Sequence, residues 1–122
     1  LAVLAQRGHR EFAASQVAAC IDARMDEVYW GCYQLEQGEM RLQGVEAVLA
    51  PELACLPRAA DGQWFGAGTG WGTQSAGDLL PHAQDLLQLA GFAWARGEAV
   101  AADQAQPVYL RDNVATPKKR PA

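Results

Sequence analysis

Four glycines alternate with other residues in GAGTGWG, from Gly66 to Gly72. Successive glycines let backbone N–H groups close on an anion, so Gly66, Gly68, Thr69 and Gly70 form a candidate phosphate loop. Such a loop would make the chain a nucleotide-binding or ATP-hydrolysing module. The pattern departs from both common phosphate fingerprints, however. No Lys-Ser/Thr pair follows it, the glycines keep recurring to Gly72, and the next helical pattern starts well downstream. The competing role is a strand-to-loop transition whose glycines permit close backbone packing, and the residues favour it.

The second cluster lies in IDARMDEVYWGCY, from Ile21 to Tyr33. Asp22, Asp26 and Glu27 around Arg24 could serve acid/base or magnesium chemistry. Acids at a hairpin turn are more often turn-formers with a local ion pair, here to Arg24. Nucleophilic catalysis has no machinery in the sequence, because Ser15, Thr69 and Ser75 lack a neighbouring His or Lys base. His9 and His82 stand far apart without an HxxxH or HExxH spacing. Neither a metal nor a cofactor is expected.

The bulk numbers narrow the classes further. A chain of 122 residues, 50% hydrophobic, suits one domain with a single core. A net charge of −4 argues against direct nucleic-acid binding, which rests on Lys/Arg patches. Lys118, Lys119 and Arg120 are the only basic cluster and read as part of a solvated, flexible tail over residues 114–122. Three cysteines leave one unpaired in any scheme, and no CxxC occurs; Cys20 and Cys32 sit in apolar runs and read as buried free thiols of a reducing cytoplasm. No apolar run approaches the roughly 20 residues of a membrane span, so no membrane partner is expected.

Elements that would position these residues follow from periodicity. Leu1, Leu4, Ala5 and Gly8 keep helical spacing, predicting a helix over Leu1 to Arg7 stopped by Gly8. A helical opening without methionine reads as the C-terminal piece of a longer protein. Val17 to Ile21 is a continuous apolar run, the mark of a central strand, within a strand at about Gln16 to Ala23. After a turn at Arg24, Met25 and Asp26, a strand from Glu27 to Leu35 sets Val28, Trp30 and Cys32 on one face and Tyr29, Tyr33 and Leu35 on the other. A turn around Gly38 leads to a third strand, Met40 to Val48, with Gly44 as a bulge.

Pro51 opens a short helix through Leu56. Asp61 and Gly62 mark a turn, and Trp64 to Ala67 forms a short strand. A helix from about Ala83 to Arg96 carries an apolar stripe of Ala83, Leu86, Leu87, Ala90, Ala93 and Trp94. Gln84, Asp85, Gln88 and Arg96 form its polar side, where Phe92 also falls, as an ordinary half-covered aromatic or a docking contact. Val108 to Leu110 reads as a short extended element. The order of strands and helices resembles the ribonuclease-H-like α/β unit of the actin/sugar-kinase/Hsp70 superfamily.

IDARMDEVYWGCY, EAVLAPE (46–52), GAGTGW, LPHAQDLLQLA (80–90) and QPVYLRDNVA (106–115) together resemble the bacterial TsaB (YeaZ) family, in order over nearly the whole chain. DAR-x-x-EVY and PVYLR are the specific segments. The resemblance implies that residues 1–122 are a single C-terminal subdomain of the actin-like fold, without the family's N-terminal half. It implies a non-catalytic, cytoplasmic accessory subunit in threonylcarbamoyl-adenosine modification of tRNA beside the anticodon. Its partners would be the paralogue TsaD and the ATPase TsaE, with tRNA engaged only indirectly and a homodimer left open. The family's older glycoprotease label suggests a metallohydrolase, which the missing histidine motif disfavours. Asp22, Arg24 and Tyr29 in the hairpin, Trp71 beside the glycines, Phe92, and Tyr109 with Arg111 near the end are the expected structural and interaction residues. Arg111 is expected to fix the tail against the domain or its missing half.

Overall fold

The computed structural model describes residues 1–58, 63–72 and 76–111. The tail 114–122, the Asp61–Gly62 turn and Ser75 lie outside them. Among the described residues two α-helices and four strands are formed: α1 (Ala2–Phe12), β1 (Gln16–Arg24), β2 (Glu27–Glu36), β3 (Glu39–Leu49), β4 (Phe65–Ala67) and α2 (Ala83–Ala95). The strands make one sheet in the order β3-β2-β1-β4, with β1–β2 and β2–β3 antiparallel and β4 parallel to β1. A meander of three strands extended by a parallel fourth is the ribonuclease-H-like arrangement expected from the element order.

β1 is central because both of its faces are apolar. Val17 and Ala19 enter one cluster with Leu4, Ala5, Tyr33, Met40, Ala67 and Leu79, on the side that α1 covers. Ala18 and Cys20 enter the other, with Val28, Trp30 and Cys32, where Leu49, Ala54, Trp64 and Trp71 close over the sheet. The two faces of β2 separate as period-2 alternation requires. Opposite Gly31, β3 carries three residues where β2 has one, since Trp30 pairs with Ala47 and Cys32 with Gln43. Gly44 supplies the positive φ (82°) for this bulge.

Two expectations change. Gly8 does not stop α1, which continues to Phe12 and ends at Ala13 with φ 54°. Instead Gly8 is buried, and a Cβ there would lie 3.3 Å from Val17 Cγ2, so the glycine lets the helix settle onto β1. The Pro51 helix is only a 3₁₀ turn, Pro51–Leu53, too short to continue to Leu56.

Helix α2 turns most of its apolar stripe outward. Asp85 is fully buried, while Leu86, Leu87 and Trp94 are 56%, 75% and 76% exposed. The Arg10 guanidinium holds the Asp85 carboxylate with two bonds, Nε to Oδ1 at 2.8 Å and Nη2 to Oδ2 at 2.9 Å. Gln6, also buried, donates to the Gly38 carbonyl at 2.9 Å and to Gln88 at 3.3 Å, and accepts from the Met40 N–H at 2.8 Å. Helix α2 therefore meets α1 through Asp85 and Gln88, with Leu89, Phe92 and Ala93 half-buried and Gln84 and Arg96 exposed. Phe92 is half-buried, with its ring end near Gly38 in the β2–β3 turn.

Candidate functional site

The hairpin and the chain's last described residues come together at one end of the sheet. Arg24 pairs with Glu27 across the turn, leaving Met25 and Asp26 as the two-residue loop. Both carry positive φ, 56° and 58°, as does Arg24 at 62°. Two positive φ angles give the mirror-image turn whose twist matches the flanking strands. The turn presents the carbonyls of Ala23 and Arg24 to Arg111.

Arg111 takes them. Its Nη1 donates to the Ala23 carbonyl at 2.8 Å and its Nη2 to the Arg24 carbonyl at 3.4 Å, while Nη2 also pairs with the Glu27 carboxylate. The guanidinium carbon stands 5.9 Å from the centre of the Tyr29 ring, within cation–π range. Planar and forked, a guanidinium can meet two carbonyls and a carboxylate at once, which an ammonium cannot do with fixed geometry. Beside this clamp lies a cleft of about 320 Å³ between Leu1, Ile21, Tyr29, Glu46, Tyr109 and Arg111. Tyr109 is 75% exposed. Glu46 accepts a hydrogen bond from the Tyr33 hydroxyl, whose pKa is raised by burial first and by that carboxylate second.

The hairpin acids do not converge on a common point. Asp22 Oδ1 accepts from the Arg24 N–H at 2.8 Å, and its ion pair with Arg24 spans 3.8 Å between exposed side chains. Such a pair contributes little to stability. Glu27 faces Arg111 instead. Among the described residues no group of three or more His, Cys, Asp or Glu could hold a metal ion. Both histidines are engaged elsewhere, His9 Nδ1 donating to the Ala14 carbonyl at 3.0 Å and His82 Nδ1 accepting from the Gln84 N–H at the start of α2.

The glycine loop packs against β1. A Cβ on Gly68 would lie 2.4 Å from the Cys20 carbonyl oxygen, and one on Gly70 would lie 2.4 Å from Cys20 Sγ. Gly68 N–H donates to the Ala76 carbonyl, Trp71 N–H to the Gly68 carbonyl, and Gly72 N–H to the Thr69 carbonyl. Of the candidate phosphate-loop amides, that of Gly68 is therefore already engaged. Thr69 Oγ1 accepts from the Asp22 N–H at 3.1 Å, and Trp71 Nε1 donates to the Ala18 carbonyl at 3.0 Å. The Trp71 ring stands 5.8 Å from Trp30 at a tilted angle. The loop thus ties β4 to the middle and end of β1.

Sequence reasoning placed Asp22, Arg24, Tyr29 and Arg111 as separate landmarks; the fold brings Arg24, Tyr29 and Arg111 to one clamp. It missed Gln6, Arg10, Glu46 and Asp85. Their partners lie 13 to 82 residues away along the chain, and no local spacing signals such contacts.

No family model matches the chain. Over 97% of its length it is 42% identical to an Escherichia coli K12 protein named tRNA threonylcarbamoyladenosine biosynthesis protein TsaB, covering 57% of that protein. The Haemophilus influenzae protein of the same name is 32% identical over 99% of the chain and 58% of its own length. The chain belongs to the TsaB (YeaZ) family. Solved structures agree. A Pseudomonas aeruginosa protein described as similar to peptidase YeaZ superposes with TM-score 0.83 at 64% identity, over 91% of this chain and 56% of that one. A second structure, YeaZ from P. aeruginosa, gives TM-score 0.84 at 65% identity over 90% and 55%. The chain therefore spans a little over half the length of the TsaB and YeaZ proteins it matches. Among the described residues, no helix is long and apolar enough to cross a membrane.

Proposed function

We propose that this chain forms the C-terminal subdomain of a non-catalytic accessory subunit in threonylcarbamoyl-adenosine modification of tRNA, acting in the cytoplasm. The observation that carries the reading is the 42% identity, over 97% of the chain, to a protein named for that pathway. The geometry is in keeping with an accessory role. Several candidate reactive groups have structural partners: Asp22 with its own turn, Glu27 with Arg111, Thr69 Oγ1 with the Asp22 amide, and the Gly68 amide with the Ala76 carbonyl. Arg111, Tyr29 and Tyr109 would hold the end of the chain in place as a structural edge of the subunit. The formal charge of −4 fits a protein that reaches tRNA through partners rather than through its own surface.

Those partners would be the TsaD paralogue, which performs the transfer, and the ATPase TsaE. Co-expression of tagged TsaD with the TsaB-family protein that carries this sequence tests the pairing. Stoichiometric co-elution on size exclusion is the expected result. Separate elution at micromolar concentrations would count against it.

A further inference from the structure

The sheet face opposite α1 is covered unevenly. Trp64, Trp71 and Ala54 close over it, yet a cavity of about 400 Å³ remains between Cys20 and Trp30 on the strands, Trp71 on the glycine loop, and Ala54 and Leu56 on the β3–β4 connection. Cys20 is part of its floor. Cys55 stands between Ala54 and Leu56, both on the facing wall, and is itself exposed. That wall is loosely held. Its hydrogen bonds stop at the 3₁₀ turn, where the Ala54 N–H donates to the Pro51 carbonyl at 3.1 Å, and resume at Pro57, whose carbonyl accepts from Trp64 Nε1 at 3.2 Å. Ala54 is extended, with φ −71° and ψ 108°, so the side chains after it point alternately in and out. Leu56 remains 47% exposed. Turning this short segment over to bring Cys55 inward therefore uncovers little apolar surface, and the cavity has room for the side chain. Cys32 offers no rival pairing. Cys20 pairs with Trp30 and Cys32 with Ala18, which makes the two cysteines diagonal neighbours in the sheet. Such neighbours lie about 7–8 Å apart, beyond the roughly 7 Å that a disulfide spans between Cα atoms without backbone movement.

We propose that Cys20 and Cys55 are a peroxide-responsive pair, whose disulfide draws the β3–β4 connection onto the central strand. Exposed Cys55 reacts first, because oxidation follows access to the thiol. Its sulfur attacks hydrogen peroxide; an S–O bond forms, the O–O bond breaks, and water leaves a sulfenic acid. The Cys20 sulfur then attacks the Cys55 sulfur. The S–S bond forms, the S–O bond breaks, and the Cys20 thiol proton departs with the hydroxyl as water. Two thiols and one peroxide thus give one disulfide and two waters. Cys20 is the poorer first site, since burial pushes its thiol up to about 11. The oxidised chain would have the cavity beside Trp30 and Trp71 closed, and a dithiol reductant would reopen it. This device is independent of the tRNA-modification reading.

Mass spectrometry tests the pair in the TsaB-family protein that carries this sequence. The protein is treated with hydrogen peroxide, remaining thiols are blocked by alkylation, and the digest is searched for linked peptides. A Cys20–Cys55 link with the loss of two hydrogens is the expected product, and dithiothreitol should remove it. Tryptophan fluorescence should fall as the link forms and recover on reduction, because Trp30 and Trp71 line the cavity that the disulfide enters. Cys55→Ser alters an exposed residue and leaves the core untouched; it should cut both the linked product and the fluorescence change at least about tenfold. Cys55 oxidised to the sulfenic acid or beyond, without the link, would overturn the proposal. So would a Cys20–Cys32 link that persists in Cys55→Ser, or a Cys55–Cys55 bond between two copies in place of the internal one.

Discussion

Replacing Gly68 with alanine tests the reading of the glycine loop as a packing device. Gly68 has φ 110° and ψ 168°, a region that L-residues scarcely enter. Forcing alanine into it costs about 1–3 kcal/mol. The added Cβ would also sit 2.4 Å from the Cys20 carbonyl oxygen and 2.6 Å from Leu4 Cδ2. Leu4 is fully buried and the carbonyl belongs to the central strand, so neither yields easily. Overpacking of this kind adds about 1–3 kcal/mol. A combined loss of about 4 kcal/mol is a large share of the 5–15 kcal/mol typical of a domain. At about 4 °C per kcal/mol for a chain of this size, the melting temperature should fall by roughly 15 °C. Gly91→Ala is the control. It sits within α2, where nothing lies within 4 Å of the added Cβ, and should stabilise the chain by about 0.5–1 kcal/mol. Thermal unfolding followed by circular dichroism reads both. A Gly68→Ala melt within about 3 °C of the parent would refute the packing argument. A melting temperature raised by ATP with magnesium in the parent protein would restore the phosphate-loop reading.

Three further outcomes follow from single contacts. Arg111→Ala removes the clamp on the Ala23 carbonyl and Glu27 and should cost about 1–3 kcal/mol, whereas an unchanged melting temperature would contradict a tethering role. Glu39 is held below its ordinary pKa of 4.5, first by its hydrogen bonds to Arg96. A depressed carboxylate stabilises the fold above that value and loses its contribution as pH falls through the lowered pKa. The melting difference between parent and Glu39→Gln should therefore be largest near about pH 7 and shrink toward about pH 3, and a difference that grows on acidification would invert the argument. Finally, Cys55 is exposed while Cys20 and Cys32 are buried, their thiols pushed up to about 11 by desolvation. A chromogenic disulfide reagent at mildly alkaline pH should titrate Cys55 alone in the native chain and all three cysteines in denaturant; fast reaction of Cys20 or Cys32 without denaturant would show the sheet less closed than described.

Much of the sheet could be read from residue order because its signals are local. The unbroken apolar run at Val17–Cys20 reads as a strand covered on both sides, and the alternation at Val28, Trp30 and Cys32 assigns one face of β2. Gly44 marked the bulge because a positive φ there excludes most other residues. Helix α2 was different. A period of 3.6 identifies its apolar side but does not say which side meets the chain's own sheet. That choice is made by Arg10, which reaches Asp85 from 75 positions away. Gly8 failed for a related reason: glycine can end a helix or let it pack closely, and only its neighbours Val17 and Phe65 decide. At the clamp, Arg111 stood out beside an aromatic residue, but its partners Ala23 and Glu27 lie 88 and 84 residues away.

We propose that this sequence serves tRNA threonylcarbamoylation through a scaffold and not through its own acids. Mass spectrometry of nucleosides from bulk tRNA tests it in cells depleted of the gene encoding this sequence. The modified adenosine should fall on depletion and return with the parent gene, and equally with an Asp22→Ala, Asp26→Ala double variant. A level that does not change on depletion would contradict the pathway assignment. Failure of a folded double variant to restore it would contradict the non-catalytic role.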